Sequence, residues 1–125
     1  MKLVTFETTA EGGSRFREVD VAFDEMRDDG QGHLLAMSRA WVSPAVRFVE
    51  LPAGMAQDWH HAPARQIVVV LSGTIEVETS DGQTRRWRAG EAFMPADLDG
   101  QGHRTRCIDG AVRLLFAPLP DDAAL

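Results

Sequence analysis

The stretch "GMAQDWHHAPARQIVVVLSG", residues 54–73, sets the terms for the whole chain. Adjacent histidines, His60 and His61, follow a tryptophan, and Gln66 opens a near-continuous apolar run that ends at Gly73. Such a run reads as a strand covered on both faces, running into a turn. If residues 59–61 are themselves extended, side-chain alternation sends His60 and His61 to opposite faces. Only one of the pair can then look into an enclosed interior.

The flanking sequence is strand-like on both sides. "AVRFVEL", residues 45–51, alternates and stops at Pro52, with Gly54 close behind. Downstream, Ile75 and Val77 face one way while Thr74, Glu76 and Glu78 face the other. Asp81-Gly82 is a hairpin signal because both central residues can take positive φ, and "TRRWRAG" returns with Trp87 as its anchor. "EAFMPA", "HRTRCI" and "AVRLLFAPL" read as three further short strands. Residues 1–40 are less regular and are expected as an amino-terminal strand or arm with a loop. Within them, residues 16–23 alternate, and "RDDGQGH" at 27–33 is a loop carrying a solvated His33. Residues 41–120 are the expected barrel, and the tail "PLPDDAAL" is expected to fray. With no helical pattern after residue 41, the expectation is a single all-β domain, a sandwich, barrel or jelly roll.

Composition removes several classes of function. At 125 residues the chain fits one domain with a real core. No apolar run approaches the roughly 18 residues of a membrane span, and the amino terminus has no signal-peptide h-region. The single cysteine, Cys107, rules out an internal disulfide and suits a reducing cytoplasm, where it packs as a small hydrophobe. A net charge of -6 argues against nucleic acid as a partner. Arg85, Arg86, Arg88, Arg104 and Arg106, spaced along strands, read as a solvated sheet face.

Two stretches together resemble the cupin family. Its first motif runs glycine, five residues, His-x-His, three or four residues, Glu, six residues, Gly. Gly54, His60, Gln66 and Gly73 fall on those spacings, with Ala62 in place of the second histidine and Gln66 in place of the glutamate. The second motif resembles "GEAFMPADLDGQGH", residues 90–103, through Gly90, Pro95, Gly100 and His103. Its proline comes one residue early, its Pro-to-Gly spacing is longer by three, and Cys107 stands where asparagine often closes the motif. The resemblance implies a jelly-roll barrel (a double-stranded β-helix) that commonly pairs as a homodimer, often with an amino-terminal strand over the partner.

The resemblance also implies a site. An intact cupin site holds Fe, Mn, Ni or Zn on three histidines and a glutamate; here His60, Gln66 and His103 remain as candidate ligands. Losing one imidazole and one negative charge weakens affinity for a divalent ion. Three readings therefore stand side by side: a weakened metal site on these three residues; a metal-free pocket where His60 or His103 is the catalytic acid or base and Gln66 orients a ligand; and histidines that only satisfy buried backbone groups. Ala62, on the His60 face, either leaves room for substrate or fits a tight strand crossing. Phe93 and Met94 are candidate apolar walls, Trp41 and Trp59 candidate edge residues, and Arg65 a surface residue paired with an acid. The functional expectation is a barrel that binds a small organic molecule, either as an oxygenase, isomerase or cyclase or as a non-catalytic sensing or carbohydrate-binding module.

Overall fold

The computed structural model describes residues 1–120 and Ala123. It is built from ten strands and no helix: β1 Lys2–Thr8, β2 Ser14–Asp20, β3 Glu25–Asp28, β4 Leu34–Met37, β5 Arg47–Leu51, β6 Ala56–His60, β7 Gln66–Thr79, β8 Thr84–Arg88, β9 Ala92–Pro95 and β10 His103–Pro118. Eight of them form one continuous sheet in the order β2-β1-β9-β7-β10-β5, with β6 added to β10 and β8 to β7. No helix among the described residues is long and apolar enough to cross a membrane.

β7 and β10 run through both halves of the molecule. The first part of β7 pairs with the last part of β10, from Gln66↔Pro118 to Val70↔Leu114. Its second part pairs with the beginning of β10, from Thr74↔Ile108 to Thr79↔His103. Between these stretches the chain bends at Gly73 (φ 82°) in β7 and at Asp109 (φ 54°) and Gly110 in β10. Gly73 is held to glycine twice over, by its φ and because a Cβ would stand 2.5 Å from the Ala111 carbonyl oxygen. The bends also change which residues face inward. Val68 and Val70 are buried before the bend and Ile75 and Val77 after it; on β10, Thr105 and Cys107 give way to Val112 and Leu114. Both halves therefore turn their apolar sides to one interior. Phe6, Trp87 and Phe93 fill its centre, with Phe6–Phe93 centroids 5.5 Å apart and Trp87–Phe93 4.4 Å apart. Cys107 packs here as a small hydrophobe, and burial pushes its thiol pKa up.

Several expectations need correction. The pairs "RQIVVVLSG"/"TIEVE" and "HRTRCI"/"AVRLLFAPL" are not separate strands but the halves of β7 and β10. β7 is fully covered only on its inner face, since Ile67 and Val69 are half-buried and Leu71 is 45% exposed. Residues 2–20 are no arm: β1 pairs parallel with β9 of its own chain, and Phe6 is fully buried. The loop at 27–33 is the tip of a β3–β4 hairpin, with His33 exposed and its Nδ1 2.7 Å from an Asp29 carboxylate oxygen. The hairpin at 79–84 forms, but only Gly82 has positive φ, because three residues rather than two span the turn between Thr79 and Gln83. Of the tail, Leu119 is buried and its N–H donates to the Arg65 carbonyl; residues 121–122 and 124–125 lie outside the described residues.

The arginine-rich outer face is ion-paired as well as solvated. Glu76 stands opposite Arg86 of β8 and Arg106 of β10, and accepts from both Nε atoms at 2.7 and 2.6 Å. The Arg106 hydrogen bond is the largest influence on Glu76 and, with Arg86, holds its carboxyl below the usual carboxylate range against the opposing effect of burial. Arg104 pairs with Glu78 and lies 4.9 Å over the half-buried Trp59 ring. Among the described residues Arg65 reaches no acid, and its Nη1 donates to the Ala123 carbonyl at 3.2 Å.

Two outcomes follow. Gly102 has φ 74°, and a Cβ there would overlap the backbone carbonyl of His60. Gly102→Ala is therefore expected to cost about 2 kcal/mol or more, read from urea unfolding. For Glu76, whose folded pKa is depressed, the stabilisation is present above its unfolded value and lost as pH falls through the folded one. Glu76→Gln should lower Tm by about 3 °C at neutral pH, with the gap closing as pH drops below about 4. A gap that widens in acid would contradict the ion-pair assignment.

Candidate functional site

His60 ends β6 and His103 begins β10, and the two residues are direct cross-strand partners. Their ring centroids lie 4.6 Å apart. The approach depends on the sharp turns around them: Gly102 passes against the His60 carbonyl where no side chain would fit. Ser14 fastens the same corner, its Oγ donating to the Gly102 carbonyl and accepting from the Ser80 N–H.

The two rings open on a cavity of about 350 Å³. Its lining includes all five residues picked from the sequence, His60, Ala62, Gln66, Phe93 and His103. The remaining wall is largely aliphatic and aromatic, and among the described residues no Asp, Glu, Lys or Arg lines it. His61 is exposed, as alternation requires. Met94 does not join Phe93. The strand turns it to the opposite face, into a second apolar cluster with Leu3, Val21 and Leu119, which the half-buried Trp41 packs against. Phe93 serves both readings, stacking in the core and lining the cavity. Ala62 likewise lines the cavity while its N–H donates to the Asp97 carbonyl at 3.0 Å, so room and tight crossing coincide.

Three polar residues of the site escaped the sequence reading. Gln57 lines the cavity although it is three residues from His60, a spacing that alternation assigns to the opposite face. Pairing steps from His103↔His60 to Thr105↔Gln57, so β6 carries one extra residue, and this bulge lets Gln57, itself exposed, line the cavity beside His60. Thr105, within the polar stretch "HRTRCI", faces inward two residues after His103. Asp97 is fully buried behind the cavity, with Oδ2 2.6 Å from Nδ1 of His103. Its only sequence signal is an acid six residues before the motif histidine, on a loop whose path was not readable.

The hydrogen bonds define what the rings offer. Nδ1 of His60 lies 2.7 Å from the Asp58 carbonyl oxygen, which can only accept, so that nitrogen carries the hydrogen. Nδ1 of His103 is engaged by the Asp97 carboxylate. In both rings Nε2 remains for the cavity, which is how ligating histidines are commonly held. The donor set nevertheless fits a divalent ion poorly. Two imidazoles and the Gln66 amide are all neutral, Asp97 is committed to the far side of a ring, and the second-histidine position is Ala62. Among the described residues, no group of three or more His, Cys, Asp and Glu side chains gathers where a metal ion would sit.

No protein-family model and no curated protein sequence matches the chain. Among solved structures, the DMSP lyase DddQ from Ruegeria pomeroyi DSS-3 is similar, with a TM-score of 0.53 and 28% identity over 66% of this chain. This chain spans 41% of that protein's length. A cupin domain from Bordetella pertussis Tohama I has a TM-score of 0.44 at 18% identity, over 60% of this chain and 79% of its own. KdgF from a Halomonas species has 0.41 at 24% identity, over 83% and 97%. With one histidine from each motif meeting inside the barrel, and Gly54, Gly73, Gly90 and Gly100 at its turns and bends, the chain has the all-β jelly-roll fold of the cupins.

Proposed function

We propose that the barrel binds a small, uncharged or singly charged organic molecule and that His103 exchanges a proton with it, without a resident metal ion. The observation that carries this reading is the buried Asp97–His103 pair at 2.6 Å behind a cavity that contains no other formal charge. A carboxylate on one ring nitrogen stabilises the imidazolium formed when the other nitrogen takes a proton. Gln66, buried at the opposite end of the motif, offers an amide to orient a carbonyl or hydroxyl, and the apolar wall holds the ligand's body. The chemistry supported is proton transfer at a hydroxyl or at carbon next to a carbonyl, the step common to isomerisation and elimination. The Ruegeria pomeroyi neighbour is named for DMSP, which makes that compound one probe among several.

The test is a panel of small hydroxy acids, keto acids, sugars and DMSP, followed by saturation-transfer NMR on protein dialysed against EDTA. Binding is expected to survive the chelator and to fall at least about tenfold in His103→Ala and Gln66→Leu. Equal binding by wild type and both variants would remove the pocket assignment. Binding restored only by added Fe, Mn, Ni or Zn would return the site to the metal reading. Ligand binding with no turnover of any panel member would favour the non-catalytic sensing or carbohydrate-binding module.

We also infer that the chain pairs with a second copy. The β3–β4 hairpin forms its own two-stranded sheet apart from the barrel, and a lone hairpin is marginal in water. It exposes Met26, Leu34 and Leu35, while the edge strand β5 exposes Phe48 at 73% beside Leu71. A homodimer would cover these apolar side chains and the open edge. In light scattering, wild type should run as a dimer and Phe48→Glu as a monomer of unchanged circular dichroism; a monomeric wild type would refute the pairing.

A further inference from the structure

Asp97 has no duty in the apolar packing, and its burial needs a reason. The residue is 0% exposed, and its Oδ1 is buried without a hydrogen-bond partner among the described residues. An ionised carboxylate is costly to bury unless it is paired, and here the pairing is to a single ring nitrogen through Oδ2. Its own backbone carbonyl accepts from Ala62 N–H, which ties the loop before β10 to the end of the His60 segment. Both anchors fix the carboxylate in place behind His103.

We propose that Asp97 is a positioning residue that selects the Nδ1–H tautomer of His103, leaving Nε2 unprotonated toward the cavity. This deepens the proton-transfer reading of the same site, although the tautomer itself can be measured without any ligand. A carboxylate at neutral pH offers only lone pairs, so the neutral ring satisfies it by carrying hydrogen on Nδ1. The remaining nitrogen then accepts a proton from whatever enters the cavity. His60 reaches the same tautomer by another route, since its acceptor is the Asp58 backbone carbonyl, which no side-chain substitution removes. The two rings, 4.6 Å apart, thus present the same kind of nitrogen side by side. They differ in one respect: only His103 has a negative charge behind it to stabilise the protonated form. That difference assigns the base to His103 and the role of neighbouring acceptor to His60.

The experiment is a long-range nitrogen–proton NMR correlation on the full chain labelled with ¹⁵N at histidine, recorded on the alkaline side of the ring titrations. Wild-type His103 and His60 are both expected with hydrogen on Nδ1 and bare Nε2. In Asp97→Asn, an amide of the same shape offers a donor to the ring, as the corresponding change does in the serine-protease triad, a worked case of tautomer loss. His103 should then lose Nδ1–H as its dominant form, while His60 keeps it and serves as the internal control. Asp97→Glu, which retains the carboxylate, should return His103 to the wild-type pattern. A purely structural Asp97 would lower Tm in both variants and leave the tautomer alone, which would overturn the proposal. So would a wild-type His103 with hydrogen on Nε2, a result that needs no variant to fold. Failure of every panel compound to bind would strike the proton-transfer reading and leave the tautomer result standing, so the two can fail separately.

Discussion

At Gly73 in β7 and at Asp109–Gly110 in β10 the two longest strands bend side by side, and the barrel exists because they do so together. Four residues of β10, 109–112, stand opposite Gly73 alone. A strand has a side-chain period of two, so an irregular count exchanges its inner and outer faces. With the bend in both strands, the odd-numbered residues of one half and the even-numbered residues of the other meet in a single interior. Without it, either Val68 and Val70 or Ile75 and Val77 would face water. The cavity follows from the same device, as Gln66 and Val68 come from one side of the bend and Ile75, Val77, His103 and Thr105 from the other.

The site is then a matter of two corners. One is the β6 bulge, which brings Gln57 and His60 to the same side. The other is the turn at Gly100 and Gly102, which delivers His103 beside His60 and leaves Asp97 enclosed behind it. Polar groups are thereby collected at one end of an otherwise apolar space, and charge is kept one layer back. The outer surface does the opposite. Glu76, Glu78, Arg86, Arg104 and Arg106 are paired across neighbouring strands, so the charged face is neutralised locally and adds little field inside.

What could be read from the sequence was whatever has a short period or a fixed spacing. Alternation separated His60 from His61, and the motif spacings singled out His60, Ala62, Gln66 and His103, which line one cavity; of the two wall candidates, Phe93 lines it and Met94 does not. The features that were missed depend on irregularity or distance. Gln57 needs a bulge that no local pattern announces, and Asp97 needs the path of a loop. The sequence left residues 1–40 open between strand and arm because β1's second sheet partner, β9, lies some ninety residues away, and nothing in residues 2–8 names it. The continuity of β7 and β10 was hidden for a related reason: their bends carry Gly73 and Asp109-Gly110, the residues that usually mark the end of a strand.

The parallel pairing of β1 with β9 has a consequence for how the chain is made. Val4 lies beside Phe93 and Phe6 beside Pro95, so β1 meets β9 only after some ninety further residues have left the ribosome. Until then β1 has β2 alone, and Phe6, fully buried at the end, has only Phe16 of that hairpin to lean on. Pairings so far apart are slow to close and leave apolar side chains uncovered in the interval. The β1–β2 hairpin is therefore made well before the strand that secures it, and its apolar side chains stay uncovered through that interval.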